Sequence, residues 1–133
     1  IHVNPLQEWL QPEGDVFKAS PLDIIKRTLD LDVKVIVKEV GQGFGPESLK
    51  ALMKLPLAAI DFGAHGGTNF SKLEMHRSDT LRHEAYDTVA SWGHSAEQMV
   101  GFYNCLKEEI GEANHNADIL ISGGVRDFMD GYY

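Results

Sequence analysis

Two glycine turns carry the clearest chemical signal in this sequence. Ser122-Gly123-Gly124-Val125-Arg126 follows a short apolar run and opens a helical pattern. Such a turn offers free backbone N–H groups at a helix N-terminus, which favour phosphate. Gly124 and Val125 would supply the backbone and Arg126 the charge. Gly66-Gly67-Thr68 offers a similar nest with a hydroxyl. One Gly-Gly pair alone is most often a plain turn. Two of them, at the exits of successive strands, favour phosphate binding. Lys38 closes the run Val33 to Val37 and precedes a loop holding Gly41, Gly43 and Gly45. At a strand exit it would point into the mouth of a barrel. There it could hold an anion or stabilise negative charge on a cofactor. The bland alternative is a solvated lysine.

The opening run His2-Val3-Asn4-Pro5-Leu6-Gln7-Glu8 is dense in polar groups. Glu8 fits a hard cation of the Mg²⁺ kind, or it is a solvated loop carboxylate. Gln7 has no titrating proton, so its amide can only orient and hydrogen-bond. Glu74 is a candidate acid/base group, with a surface carboxylate as its alternative. His76, His83, His94 and His115 lack ligand spacing and read as surface residues. Cys105 falls mid-pattern in a helix and reads as packing.

These groups need elements to hold them. Ile1 to Asn4 reads as the tail of a strand, followed by a loop with Pro5, Pro12 and Gly14. Ser20, Pro21 and Asp23 mark a helix start, and Leu22, Ile25 and Leu29 share one face. Val33 to Val37 is β-branched and reads as a buried strand. Pro46 starts a second helix with Leu49, Leu52 and Met53 inward. Leu57 to Ile60 is a third strand, ending at Asp61. From Gly63 to about Gly93 the chain reads as a long polar loop, and loops of that length are usually functional or disordered. Ser95 with Gln98 forms a capping box. Met99, Phe102, Leu106 and Ile110 then make an inner stripe, and Gly111 ends the helix. Ala117 to Ile121 is a fourth strand, and a last helix begins after Arg126.

Alternating β and α elements with short apolar strands imply a parallel sheet. Two architectures satisfy that pattern, an open doubly wound sheet and a (β/α)8 barrel, and the barrel takes about 250 residues and eight units. The 133 residues here, 43% of them hydrophobic, read as one domain (1–133) of four consecutive βα units. The expectation is therefore a partial TIM barrel, about half of a full one. Its site would lie at the C-terminal ends of the strands. An open half-barrel exposes sheet edges and apolar faces, so pairing with another copy is expected.

The formal net charge of −8 argues against nucleic acid. No apolar run is long enough to span a bilayer, and the opening Ile1-His2 shows no signal peptide. The single cysteine excludes an internal disulfide and suggests a reduced, cytoplasmic setting.

Taken together, the motifs resemble type 2 isopentenyl-diphosphate Δ-isomerase. The residues that carry the resemblance are His2 to Glu8 with Gln11-Pro12-Glu13-Gly14-Asp15, Val37-Lys38-Glu39-Val40-Gly41, Gly66-Gly67-Thr68-Asn69-Phe70 with Glu74 and Arg77, Trp92-Gly93, and Ser122 to Arg126. They run in order along nearly the whole chain, and the first block is the most specific. The resemblance implies a barrel flavoprotein that interconverts isopentenyl diphosphate and dimethylallyl diphosphate. It further implies reduced FMN, Mg²⁺ and NADPH, with no net redox change. By the same resemblance, His2 and Asn4 would contact the diphosphate, and Gln7 would face the reacting carbons. Glu8 would bind Mg²⁺, Lys38 would lie by the flavin ring, and Thr68, Gly124, Val125 and Arg126 would lie near the FMN phosphate. Glu74 would join the proton relay. The family's first three βα units and its last one have no counterpart, so a central-to-late fragment is expected. Phe62-Gly63-Ala64-His65 departs from the Ser-Gly-Arg often found before Gly-Gly-Thr.

Two other readings stand beside this one. Another FMN-dependent barrel enzyme, such as a 2-hydroxy-acid oxidoreductase, would need a catalytic histidine just before an arginine-bearing loop, and none can be placed. The chain by itself could also be an inactive fragment.

Overall fold

A computed structural model describes residues 1–11, 13, 18–77, 83–111 and 115–131, and side chains in all of these except 83–85. Pro12, Gly14 and Asp15 of the opening motif therefore lie outside the described residues, as does the side chain of His83.

Three strands form the sheet: β1 (Ile36–Lys38), β2 (Ala59–Asp61) and β3 (Asp118–Leu120). They lie in the order β1-β2-β3, all parallel. The register places Val37, Ile60 and Ile119 in one row and Lys38, Asp61 and Leu120 in the next. Because side chains alternate along a strand, the first row faces the core and the second faces away from it.

Four of the next five helices start or stop on clear local signals. Pro21 opens α2 (Pro21–Leu29) after Ser20, and Pro46 opens α3 (Pro46–Met53). Both prolines are pre-set for a helix and give up an N–H that would be unpaired there anyway. α4 (Phe70–Arg77) begins just after Asn69, whose side chain accepts from the Lys72 N–H at 2.9 Å. α5 (His83–Ala90) follows. α6 (Ala96–Ile110) carries the capping box of Ser95 and Gln98 and ends on Gly111 at φ +85°. The main core joins Val37 and Ile60 to Ile25 of α2, Leu49, Leu52 and Met53 of α3, and Met99 and Leu106 of α6. A smaller cluster of Leu10, Met75 and Ala90 fastens α4 and α5 to the start of the chain. No helix among the described residues is long and apolar enough to cross a membrane.

This arrangement corrects the expected partial TIM barrel. The sheet has three strands rather than four, each three residues long, and six helices stand among the described residues. The fold is α/β, a small open parallel sheet, and three short strands cannot close on themselves. The expected first strand shrinks to a single parallel bridge between His2 and Lys38. The reason is local: Asn4 caps and Pro5 opens α1 (Pro5–Leu10) immediately afterwards. The expected polar loop from Gly63 to Gly93 folds instead into α4 and α5 over much of its length. Beyond Arg126 the described residues form a turn in place of the expected helix.

Ile60, on the central strand, is fully buried and touches the main core. Replacing Ile60 with Ala should lower unfolding free energy by about 2–5 kcal/mol in urea denaturation. A loss under about 1 kcal/mol would mean that the site collapses around the deletion or is less well packed.

Candidate active site

A buried carboxylate organises the polar end of the sheet. Glu39 follows β1 directly, and glycines let the next loop curl around it. Its Oε2 accepts the N–H groups of Val40, Gln42 and Gly43 at 2.6, 2.7 and 2.8 Å. Its Oε1 accepts from Asn4 Nδ2 at 2.7 Å. Burial pushes the Glu39 carboxyl above its ordinary value, against the pull of those N–H donors and Asn4.

Asn4 is buried as well. Its Nδ2 also reaches Gln42 Oε1 at 2.9 Å, and its Oδ1 accepts the Gln7 N–H at 2.9 Å, which caps α1. Gln42 Oε1 accepts from Ser71 of α4 at 2.8 Å, and its Nε2 donates to the Trp92 carbonyl at 2.7 Å. Side chains from α1, the β1 exit and α4 thus meet in one buried polar cluster.

Above that cluster lies the pair foreseen as chemical. Gln7 Nε2 donates to Glu74 Oε1 at 3.4 Å. Arg77 Nη1 bonds both Glu74 oxygens, at 3.2 and 2.9 Å. Glu74 is buried and Arg77 exposed, so the ion pair reaches from the interior to the surface. Glu8, half-buried, sits one residue along α1. Among the described residues no three His, Cys, Asp or Glu side chains cluster as a metal site. A Mg²⁺ held through Glu8 would have to complete its shell with water and non-protein oxygens, the usual habit of that ion.

The glycine turns come together. A Cβ built on Gly66 would lie 3.2 Å from Gly124 Cα, and one on Gly67 would lie 3.2 Å from Gly124 N. The turns after β2 and β3 are therefore stacked backbone to backbone, and Gly124 at φ +75° holds a conformation that L side chains rarely adopt. Asp61 and Ser122 lock the arrangement. Ser122 Oγ donates to Asp61, and the Gly63 N–H reaches both residues, at 3.2 Å to Asp61 Oδ1 and 3.1 Å to Ser122 Oγ. Arg126 uses its backbone N–H and Nε to hold the Asp130 carboxylate, at 2.8 and 3.4 Å. Those contacts hold the Asp130 carboxyl below its ordinary value, the backbone N–H first. An exposed turn that captures an anion from its own chain has donors suited to a phosphate.

The remaining expected residues fall at the edges. Lys38 and His2 are exposed and bridge strand to strand, while Thr68 is exposed beside the glycine turn. Lys38 shares its row with Asp61 on the open face of the sheet, and so does not enter a barrel mouth. Two background readings are corrected. His115 is buried, its Nδ1 3.4 Å from the Met53 carbonyl and its ring edge-on to Tyr103. Cys105 is exposed rather than packed. His76 is exposed, and His94 is half-buried, its ring 5.0 Å from that of Phe102. Gln42 and Ser71 were not foreseen as part of the site, Asp61 only as the end of a strand, and Glu39 only as the neighbour of Lys38 at a strand exit, without a role of its own. For Glu39 a signal existed, a carboxylate at a strand exit followed by glycines whose N–H groups it can accept. Ser71 and Gln42 stand 29 residues apart and give none.

With this geometry in place, the likenesses of the chain are informative. It is 36% identical over 133 residues to an isopentenyl-diphosphate delta-isomerase of Legionella pneumophila strain Lens, covering 98% of this chain and 37% of that protein. The protein of the same name from Latilactobacillus sakei is 37% identical over 130 residues, 98% of this chain and 34% of its own length. That of Ignicoccus hospitalis is 36% identical over 132 residues, 96% of this chain and 35% of its own. All three relatives carry one name. The chain spans about a third of the length of the curated relatives it matches. No family model matches it.

The raised carboxyl of Glu39 sets a pH dependence. The folded state keeps its proton to a higher pH than the unfolded chain, so folding binds protons between the two values. Stability from this group is then full at acid pH and is lost as pH rises from about 4.5 through the folded value. Replacing Glu39 with Gln removes the titration. Between pH 4 and 7, urea midpoints of the unmodified chain should fall relative to those of the Gln variant. The opposite trend would mean that the hydrogen-bond donors outweigh burial.

Proposed function

We propose that this chain is part of an isomerase that interconverts isopentenyl diphosphate and dimethylallyl diphosphate. The observation that carries the reading is the meeting of Gln7 with Glu74, 67 residues apart, beside Arg77. A neutral amide next to an arginine-held carboxylate suits a reaction that moves a proton and leaves no net redox change. The names of the relatives support the same substrate pair.

The isomerase is of the flavin-dependent type 2 kind. One proton is added at one end of the double bond, one is removed from the carbon on its other side, and the double bond shifts between them. Bound reduced FMN, kept reduced by NADPH, would supply the exchangeable proton. The residues of this chain do the rest. Gln7 orients the reacting carbons, and Glu74 exchanges the proton with its surroundings while Arg77 holds its carboxylate in place. The stacked turns, with Thr68 and the Gly124, Val125 and Arg126 segment, would cradle the FMN phosphate through backbone N–H groups. Lys38, on the open side of the sheet, would stabilise negative charge on the flavin ring. His2 would contact the diphosphate, and Glu8 would hold a Mg²⁺ able to neutralise it. Asn4, with its polar atoms engaged internally, fixes the start of α1 beneath them.

With the intact protein, FMN, NADPH and Mg²⁺, isopentenyl diphosphate should convert to dimethylallyl diphosphate under anaerobic, reducing conditions. Oxidation of a 2-hydroxy acid in its place would sink the reading. Changing Glu8 to Gln should raise the Mg²⁺ needed for half-maximal rate by at least the roughly 10- to 100-fold that losing an outer-shell partner costs, with flavin content unchanged. An equal loss of flavin would contradict the role given to Glu8. Changing Gly124 to Val should weaken FMN binding, because the side chain would enter the stacked turns. Unaltered flavin affinity in that variant would remove the phosphate cradle from the proposal.

A further inference from the structure

The reading of Gln7 and Glu74 leaves open what sets their distance, and the buried amide of Gln42 supplies an answer. It sits in the glycine loop after β1 and is almost fully buried. Its Oε1 lies between two helices, accepting Asn4 Nδ2 at 2.9 Å from the cap of α1 and Ser71 Oγ at 2.8 Å from α4. Its Nε2 is held by the Trp92 carbonyl at 2.7 Å. Asn4 caps the helix that carries Gln7. Ser71 lies one turn before Glu74, on the same side of α4. One oxygen atom therefore ties together the two helices that present the pair.

We infer that Gln42 is a positioning residue for the Gln7–Glu74 pair, acting through Asn4 on one helix and Ser71 on the other; this rests on the reading of that pair given above. The chemistry requires an amide. The oxygen must accept from two donors while the nitrogen donates to a carbonyl. A carboxylate would set an oxygen against the Trp92 carbonyl, and a hydrocarbon would leave the Ser71 hydroxyl and that carbonyl unpaired in a buried site. A shift of about 1 Å in a reacting group can cost about 100-fold in rate, so a residue that touches no substrate can still govern turnover.

Two variants test this. Gln42→Met keeps the bulk and removes both hydrogen-bonding functions. In the intact protein kcat for isopentenyl diphosphate should fall about 10- to 100-fold, with KM changed by less than about twofold, because ground-state binding is untouched. In the present chain the Gln7 N–H should exchange with solvent about tenfold faster than in the unmodified chain, as the cap of α1 loosens. Unchanged kcat, or an unchanged exchange rate, would overturn the inference. Gln42→Glu covers the case in which the Met variant does not fold. Once protonated, its carboxyl can donate to Trp92 and accept from Asn4 and Ser71, so kcat should recover as pH falls and drop as pH rises. The neighbouring acids Glu39 and Glu74 are also present in the unmodified protein, so a limb seen only in the variant belongs to position 42. A Glu variant with the pH profile of the unmodified protein, or one equally inactive at every pH, would refute the role. Should the unmodified protein fail to isomerise isopentenyl diphosphate, the functional reading falls, and Gln7 N–H exchange still decides for or against positioning.

Discussion

The structure depends on one buried carboxyl group. Glu39 stands where β1 gives way to its loop, and backbone N–H groups from that loop converge on it. A carboxylate in such a place has lost its water and must be repaid in hydrogen bonds. The repayment dictates the neighbourhood. The loop must curl tightly, so it is rich in glycine. Asn4 must point inward, which fixes the start of α1. Gln42 must turn toward Asn4, which leaves its other bonds for α4 and for Trp92.

That constraint also explains what the sequence revealed and what it concealed. Helices that bury apolar stripes and start on a proline or a serine were legible, and α2, α3 and α6 lie where their signals put them. The central parallel strands were legible for the same reason, since Val37 and Ile60 sit in unbroken apolar runs. α4 was not legible. Its inward face holds Ser71, Glu74 and Met75, so most of what it buries is polar and no apolar period marks it. α1 was hidden by Pro5, read as a loop residue although an Asn followed by Pro is also a helix start. The step from parallel strands to a barrel failed because alternation of elements fixes the direction of strands, but neither their number nor the closure of the sheet.

The candidate site was legible in its residue types more than in its wiring. Gln7, Glu74 and the two glycine turns could be named from local motifs, and the fold brings the members of each pair together. The groups that hold them were named late or not at all, because a hydrogen bond between Gln42 and Ser71 leaves no local pattern. Distance along the chain hides the side chains whose whole role is to span it. His115 and Cys105 show the converse, since polarity and pattern alone misjudged which of them is buried.

The pairing of β2 with β3 has a kinetic meaning. Asp61 and Leu120 are register partners, and the chain between them contains α4, α5 and α6. Parallel neighbours are joined only by such excursions, which raises the average sequence separation of native contacts and slows folding. The loop that must close grows costlier only slowly with its length, but it must close before the pairing can stabilise anything. The stacking of Gly66 and Gly67 on Gly124 and the tie between Asp61 and Ser122 both wait on that closure. The two glycine turns can thus stack only when the two ends of that excursion have met.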